Sequence, residues 1–220
     1  MKNYLFQERK EANKTVIELR FTICVSGAVQ GPTLQTSADE AMELGRQIAK
    51  RGHILTTGAT VGLPEAAAEG AKDAGGMVVG FSPAASMREH LRKYRLPYDH
   101  YDFINFTGLE YVGRDLYLIQ SSDAVITVGG RFGSLHEFTS ALESHKPCGI
   151  LISSGGTADL IPQLMEILEP PARALGGYDS DPAKLVDKIE AILKDKHDDL
   201  RKEFTQRDQF WYLKKGKKQG

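Results

Sequence analysis

Three glycine clusters, one arginine and one glutamate are the residues of this 220-residue chain whose types and spacing allow chemistry. The richest cluster runs Val128-Gly-Gly-Arg-Phe-Gly-Ser-Leu-His-Glu137, with Gly129, Gly130 and Gly133 followed by Ser134. Glycines let a backbone come close to a ligand, and the first amides of a helix offer unpaired donors with about half a positive charge. Such a turn cradles a phosphate without a lysine, and the Ser134 hydroxyl adds a donor. A tight strand-to-helix turn with no ligand is the plainer reading. Glu137 comes one helical turn after Gly133, so its carboxylate stays near the mouth of the loop. A carboxylate there repels a phosphate, but it makes sense if it serves a sugar carbon set back from that phosphate. Arg114, in Gly113-Arg-Asp115, opens the preceding helix. Its fork of donors can pair with Glu137, hold a phosphate, or do both. Taken singly, Glu137 reads equally as a carboxylate favoured by the helix dipole, and Arg114 as a solvated helix residue. Gly27 with Gly31, and Gly58 with Gly62, make the other two clusters.

Elements that position these residues follow from apolar periodicity. Short apolar runs at 21–26, 53–57, 77–81, 103–106, 124–128 and 148–152 read as strands. Helical spacing appears at 37–51, from Pro64 to about Gly75, and at 111–121, 133–144, 159–168 and 182–194. Ser37 and Glu40 are spaced as a capping box, and Pro64 suits a first helical turn. Continuous apolar strands, each followed by a helix, predict an α/β fold: a doubly wound parallel sheet of about six to seven strands with helices on both faces. Each glycine cluster then falls at the carboxyl end of a strand, where open α/β sheets bind ligands. One domain is expected over 20–195, with an N-terminal arm at 1–19 and a charged tail at 196–220.

Composition narrows the function. With 28 basic and 29 acidic residues the net charge is −1, so no global field draws the chain to nucleic acid. A near-neutral surface argues for a small anion held in a cleft. No apolar run approaches the ~20 residues of a membrane span, and the charged N-terminus lacks the apolar core of a secretory signal. A cytoplasmic location follows. Cys24 and Cys148 sit within strands and read as small core residues, while His136 and His145 have no partners at metal spacing, so no metal is expected. Tyr94, Tyr98 and Tyr101 can stack on a base or sit at a subunit seam. The first turn, Ser26-Gly-Ala-Val-Gln-Gly31, lacks G-x-G-x-x-G, and no P-loop sequence occurs, so ordinary dinucleotide chemistry is disfavoured.

The paired motif Gly113-Arg-Asp with Ser122-Asp-Ala-Val-Ile-Thr-Val-Gly-Gly-Arg-Phe-Gly-Ser-Leu-His-Glu137 resembles the LOG (Lonely guy) family of Rossmann-like nucleotide-binding proteins, some once labelled "possible lysine decarboxylases". That family carries an arginine at a helix start, then S-D-A before a strand, then P-G-G-x-G-T-x-x-E. Thr57-Gly-Ala-Thr-Val-Gly-Leu-Pro64 is similar to its G-G-G-x-x-G-L-M, and the likeness spans about residues 20–170. The resemblance implies a phosphoribohydrolase that releases the base from a purine nucleoside 5′-monophosphate. It needs no cofactor and works as a homodimer or higher homo-oligomer. Arg114 and Glu137 would be catalytic, and Gly27, Gly58, Gly62, Gly129, Gly130, Gly133 and Ser134 would bind substrate. Val128 stands for the signature proline, Ser134 for the threonine, Ala59 for an upstream glycine and Pro64-Glu65 for Met-Gly. With Gly80-Phe-Ser-Pro83, these departures resemble the branch that includes molybdenum-cofactor carriers, which bind without hydrolysing.

Overall fold

The predicted strands at 21–26, 124–128 and 148–152 are buried along most of their length because helices cover both faces of the sheet there. The computed structural model describes residues 19–168 and 176–206; the arm before Leu19 lies outside them, as do Phe210, Trp211 and the lysine run at 214–218. The chain alternates through β1 (Thr22–Gly27), α1 (Thr33–Thr36), α2 (Ala38–Lys50), β2 (Ile54–Thr57), α3 (Leu63–Asp73), β3 (Met77–Ser82) and α4 (Met87–Arg92). It continues through β4 (Phe103–Phe106), α5 (Glu110–Gln120), β5 (Ala124–Val128), α6 (Phe132–Glu143), β6 (Cys148–Leu151), α7 (Gly156–Ile167), β7 (Gly176–Asp179) and α8 (Pro182–Gln206). The seven strands are parallel in the order β4-β3-β2-β1-β5-β6-β7. This is a doubly wound Rossmann-like sheet whose order reverses between β1 and β5.

Alternation along β1 divides the core in two. Ile23 and Val25 join α2 (Leu44, Ile48), α3 (Ala67, Ala71) and α8 (Leu185, Ile189) on one face. Cys24 joins α5 (Leu118, Ile119), α6 (Phe138, Ala141) and α7 (Ile161) on the other. Buried thiols in strands are the small core residues expected, and burial pushes both thiols up, to about 12 for Cys148. No helix among the described residues is long and apolar enough to cross a membrane.

Local structure departs from the sequence pattern in four places. Ser37 does not cap α2 with its side chain. The single turn α1 runs directly into it, and the Ser37 hydroxyl instead donates to Ser154 O at 2.9 Å. The side-chain cap forms at α4, where Ser86 Oγ accepts from Glu89 N and Glu89 Oε2 accepts from Ala85 N. Strand β7, Gly-Gly-Tyr-Asp, has no apolar run to announce it and pairs at the edge with β6. Helix α8 extends to Gln206 through residues too polar to show a stripe.

Ala59, standing for a family glycine, adopts φ +51° and is fully buried. Left-handed backbone costs a non-glycine residue about 1–2 kcal/mol, and a buried methyl contributes about 0.8. These oppose each other, so Ala59→Gly is expected to shift stability by less than about 1 kcal/mol. Ala59→Val adds β-branching to left-handed backbone in a filled site, and should cost about 2 kcal/mol or more in a denaturant melt.

Candidate functional site

The reversal of strand order opens a cleft between the carboxyl ends of β1 and β5, as Gly27↔Val128 pairing brings both strand ends together. There lies a cavity of about 360 Å³, walled by the turn after β1, the turn after β2, helix α5 and the start of α6. Gly27, Gly58, Gly133, Ser134, Arg114 and Glu137 all line it. Gly62, Gly129 and Gly130 do not; they build the frame behind it. A Cβ at Gly62 would meet Ala28 O at 2.4 Å, so this glycine lets the β1 and β2 turns touch. The Gly129 and Gly130 carbonyls accept from Ala158 N and Thr157 N, which occupies the first amides of α7. Helix α6 is left differently. Its backbone bonding begins with Leu135 N to Arg131 O at 3.0 Å. The preceding amides of Phe132, Gly133 and Ser134 have no intrahelical acceptor, and these residues stand in the cavity wall. The loop holds two residues, Arg131 and Phe132, between Gly130 and Gly133, one more than the G-G-x-G pattern, and both face the cavity.

Glu137 is buried, and its Oε2 accepts from Ser26 Oγ at the end of β1. Burial, followed by the neighbouring Asp115 carboxylate, raises its carboxyl to about 7; Arg114 and the Ser26 hydroxyl work the other way. Arg114, also buried, donates from Nη1 to Phe81 O at 3.0 Å, and its Cζ lies 5.9 Å from the centre of the Tyr111 ring. Its ion-pair partner is Asp115, with Nε 3.2 Å from Oδ1, rather than Glu137. The Nε–H points away from ideal hydrogen-bond alignment and has no other acceptor. Asp115 Oδ2 in turn lies 3.0 Å from His136 Nδ1.

Asp115, Ser26, Tyr111 and Arg131 are therefore site residues that the sequence reading assigned no role. Asp115 had a signal, since it follows Arg114 on a helix whose other face is apolar. Ser26 had one as well, being a polar residue at the end of a buried strand. Of the tyrosines considered for base stacking, Tyr101 packs against the core with its hydroxyl 3.2 Å from Thr57 Oγ1. Tyr94 stands edge-on to Tyr111, 5.7 Å between ring centres. Among the described residues no group of three or more His, Cys, Asp or Glu side chains is placed to hold a metal ion.

Comparison with known proteins agrees with this architecture. The SLOG cluster4 family matches residues 20–173. An uncharacterized protein of Archaeoglobus fulgidus is 33% identical over 135 residues, covering 61% of this chain and 80% of that one. The molybdenum cofactor binding protein of the phototrophic bacterium Rippkaea orientalis superposes with a TM-score of 0.65 at 28% identity, over 80% of this chain and 98% of that one. The molybdenum cofactor carrier protein of Chlamydomonas reinhardtii does so with a TM-score of 0.65 at 28% identity, over 80% and 99%. The match covers the strand ends, the cavity and the Arg114–Glu137 interval alike: this chain belongs to the SLOG cluster4 family, within the LOG-like superfamily.

Proposed function

We propose that this protein is a nucleoside 5′-monophosphate phosphoribohydrolase, which hydrolyses the N-glycosidic bond of a purine nucleotide to free base and ribose 5-phosphate. The observation that supports it best is Glu137, a buried carboxyl in the wall of a cavity whose rim carries the free amides of α6. Those amides and the Ser134 hydroxyl hold the 5′-phosphate, and Arg131 adds charge at the same rim. Set back from the phosphate, ionised Glu137 stabilises positive charge developing on the ribose and accepts a proton from the attacking water. The C1′–N bond breaks with its electron pair leaving on the base, the water oxygen bonds to C1′, and the base takes a proton from solvent. Arg114 fixes the floor of the pocket through Phe81 O and Asp115. We place this activity in the cytoplasm and in a homodimer. Val112, Leu116 and Tyr117 on α5, together with Phe132 at the cavity mouth, are exposed apolar residues suited to a second copy.

The likeness to the two molybdenum cofactor proteins favours a second reading, a carrier that holds a nucleotide-like or molybdenum-cofactor-like ligand without cleaving it. Arg114 and Arg131 in the cavity wall suit an anionic cofactor. Without a metal-ligand cluster among the described residues, such a ligand would be held through its organic part. Incubating the protein with AMP and related monophosphates separates the two. The hydrolase releases base and ribose 5-phosphate, and loses that activity in Glu137→Ala. Base release that survives Glu137→Ala overturns the catalytic assignment, whereas retained binding without release transfers the reading to the carrier.

A further inference from the structure

Two carboxyls and one guanidinium are buried together at the inner end of the cavity, so the cluster is one positive charge short of balance. A proton shared by the carboxyls supplies it. The surroundings of the two acids differ. Asp115 has the Arg114 guanidinium, a fixed positive charge, at 3.2 Å and the His136 ring nitrogen at 3.0 Å. Glu137 has one neutral donor, the Ser26 hydroxyl. The negative charge is therefore better placed on Asp115 and the proton on Glu137. His136 is the member of this chain that reaches water: its side chain is 38% exposed, against 8% for that of Asp115. It is not among the residues that line the cavity, whereas Asp115 is.

We propose that Asp115 is a positioning residue that keeps the proton of this pair on Glu137, and that His136 is the group through which the pair exchanges that proton with solvent. The location of the proton is independent of turnover; its use in turnover rests on the hydrolase reading. In that use, Glu137 in its ionised form takes the proton from attacking water and passes it to Asp115, which hands it to His136 in the tautomer whose Nδ1 is unprotonated. Each transfer breaks one O–H bond and forms one O–H or N–H bond, and the imidazole then loses a proton to water. The charged and titratable groups facing Glu137 are Arg114 and Asp115 from α5 and the Cys24 thiol from β1, with His136 beyond Asp115. Among them, Asp115 adds to burial in raising the Glu137 carboxyl, and Arg114 lowers it.

Infrared spectroscopy of the full-length protein tests this without any substrate. A protonated-acid carbonyl band that Glu137→Gln removes is expected, titrating away near pH 7. In Asp115→Asn the like charge is gone, so the midpoint should fall by roughly one unit or more. An unchanged midpoint overturns the positioning role. In His136→Gln, a variant at a partly exposed residue that should fold normally, deuterium exchange of the band should slow at least about tenfold and recover with added imidazole. Unchanged exchange overturns the path through His136. The base-release assay, run in parallel, keeps the two readings apart. A shifted midpoint without base release supports this proposal and sinks the hydrolase; base release lost in Glu137→Ala with an unshifted midpoint does the reverse. With both intact, the acid limb of base release moves down with the band in Asp115→Asn, which a purely structural role for Asp115 would not produce.

Discussion

Glu137→Gln is expected to yield a protein that is more stable than the parent above neutral pH and nearly dead in base release. The two effects have one cause. An ordinary glutamate ionises near 4.5, whereas this one holds its proton to about 7, mainly because it is buried. Between those values the folded chain binds more protons than the unfolded chain, so stability falls as pH rises through that window. At pH 8 both states are ionised and the full penalty is present, on the order of 3 kcal/mol. Glutamine is isosteric, carries no charge, accepts from Ser26 and donates to Asp115, so the penalty disappears. Denaturant melts should show the variant ahead at pH 8 and level with the parent below about pH 4, where the carboxyl is protonated in both states. An equal difference at both pH values would mean that ionisation of Glu137 is not the source. Losing the carboxylate where cationic charge develops should lower base release by about 10²–10³. A buried acid that destabilises the fold at working pH is what a functional site retains and a structural one does not.

Periodicity suffices for most of the fold because parallel strands covered on both faces must be apolar throughout, as in Ala124-Val-Ile-Thr-Val128. Where that condition lapses, the pattern is silent. Edge strand β7 contains two glycines and a tyrosine, and α4 is a six-residue helix marked only by Ser86 and Glu89. Ser37 shows the opposite failure, a correct spacing whose hydroxyl is drawn away to a carbonyl far along the chain. Motif spacing places Arg114, Glu137, Gly27, Gly58, Gly133 and Ser134 around one cavity, since strand ends and helix starts converge where the strand order reverses. It does not say which carboxylate Arg114 meets. That depends on the rotation of α5, which points Asp115 inward beside Glu137 and leaves Val112 and Leu116 outside. Gly129 and Gly130 read as ligand-binding for a similar reason: their freedom is visible in the sequence, but that their carbonyls serve α7 is a tertiary fact.

Gly58→Ala is expected to cost function far more than stability, because the nearest atoms a methyl would meet there are those of the Arg114 guanidinium. A Cβ at residue 58 would fall 1.8 Å from Arg114 Nη1 and within 2.9 Å of Nη2. The backbone makes no demand of its own, since Gly58 is outside the positive-φ group that includes its neighbour Ala59. The guanidinium must therefore move, and the adjoining cavity gives it room. In moving it leaves Phe81 O and Asp115 Oδ1, buried acceptors whose loss of a partner costs about 1–3 kcal/mol. It also enters the space assigned to the ligand and frees Asp115 from its fixed position beside Glu137. Base release or nucleotide affinity should then fall by about 10² or more. Arg114→Ala provides the check. With the guanidinium absent, the three atoms nearest to a methyl at 58 are gone, so Gly58→Ala should add little to the damage in that background. Equal costs in both backgrounds would show that Gly58 serves the turn itself and that Arg114 does not depend on it.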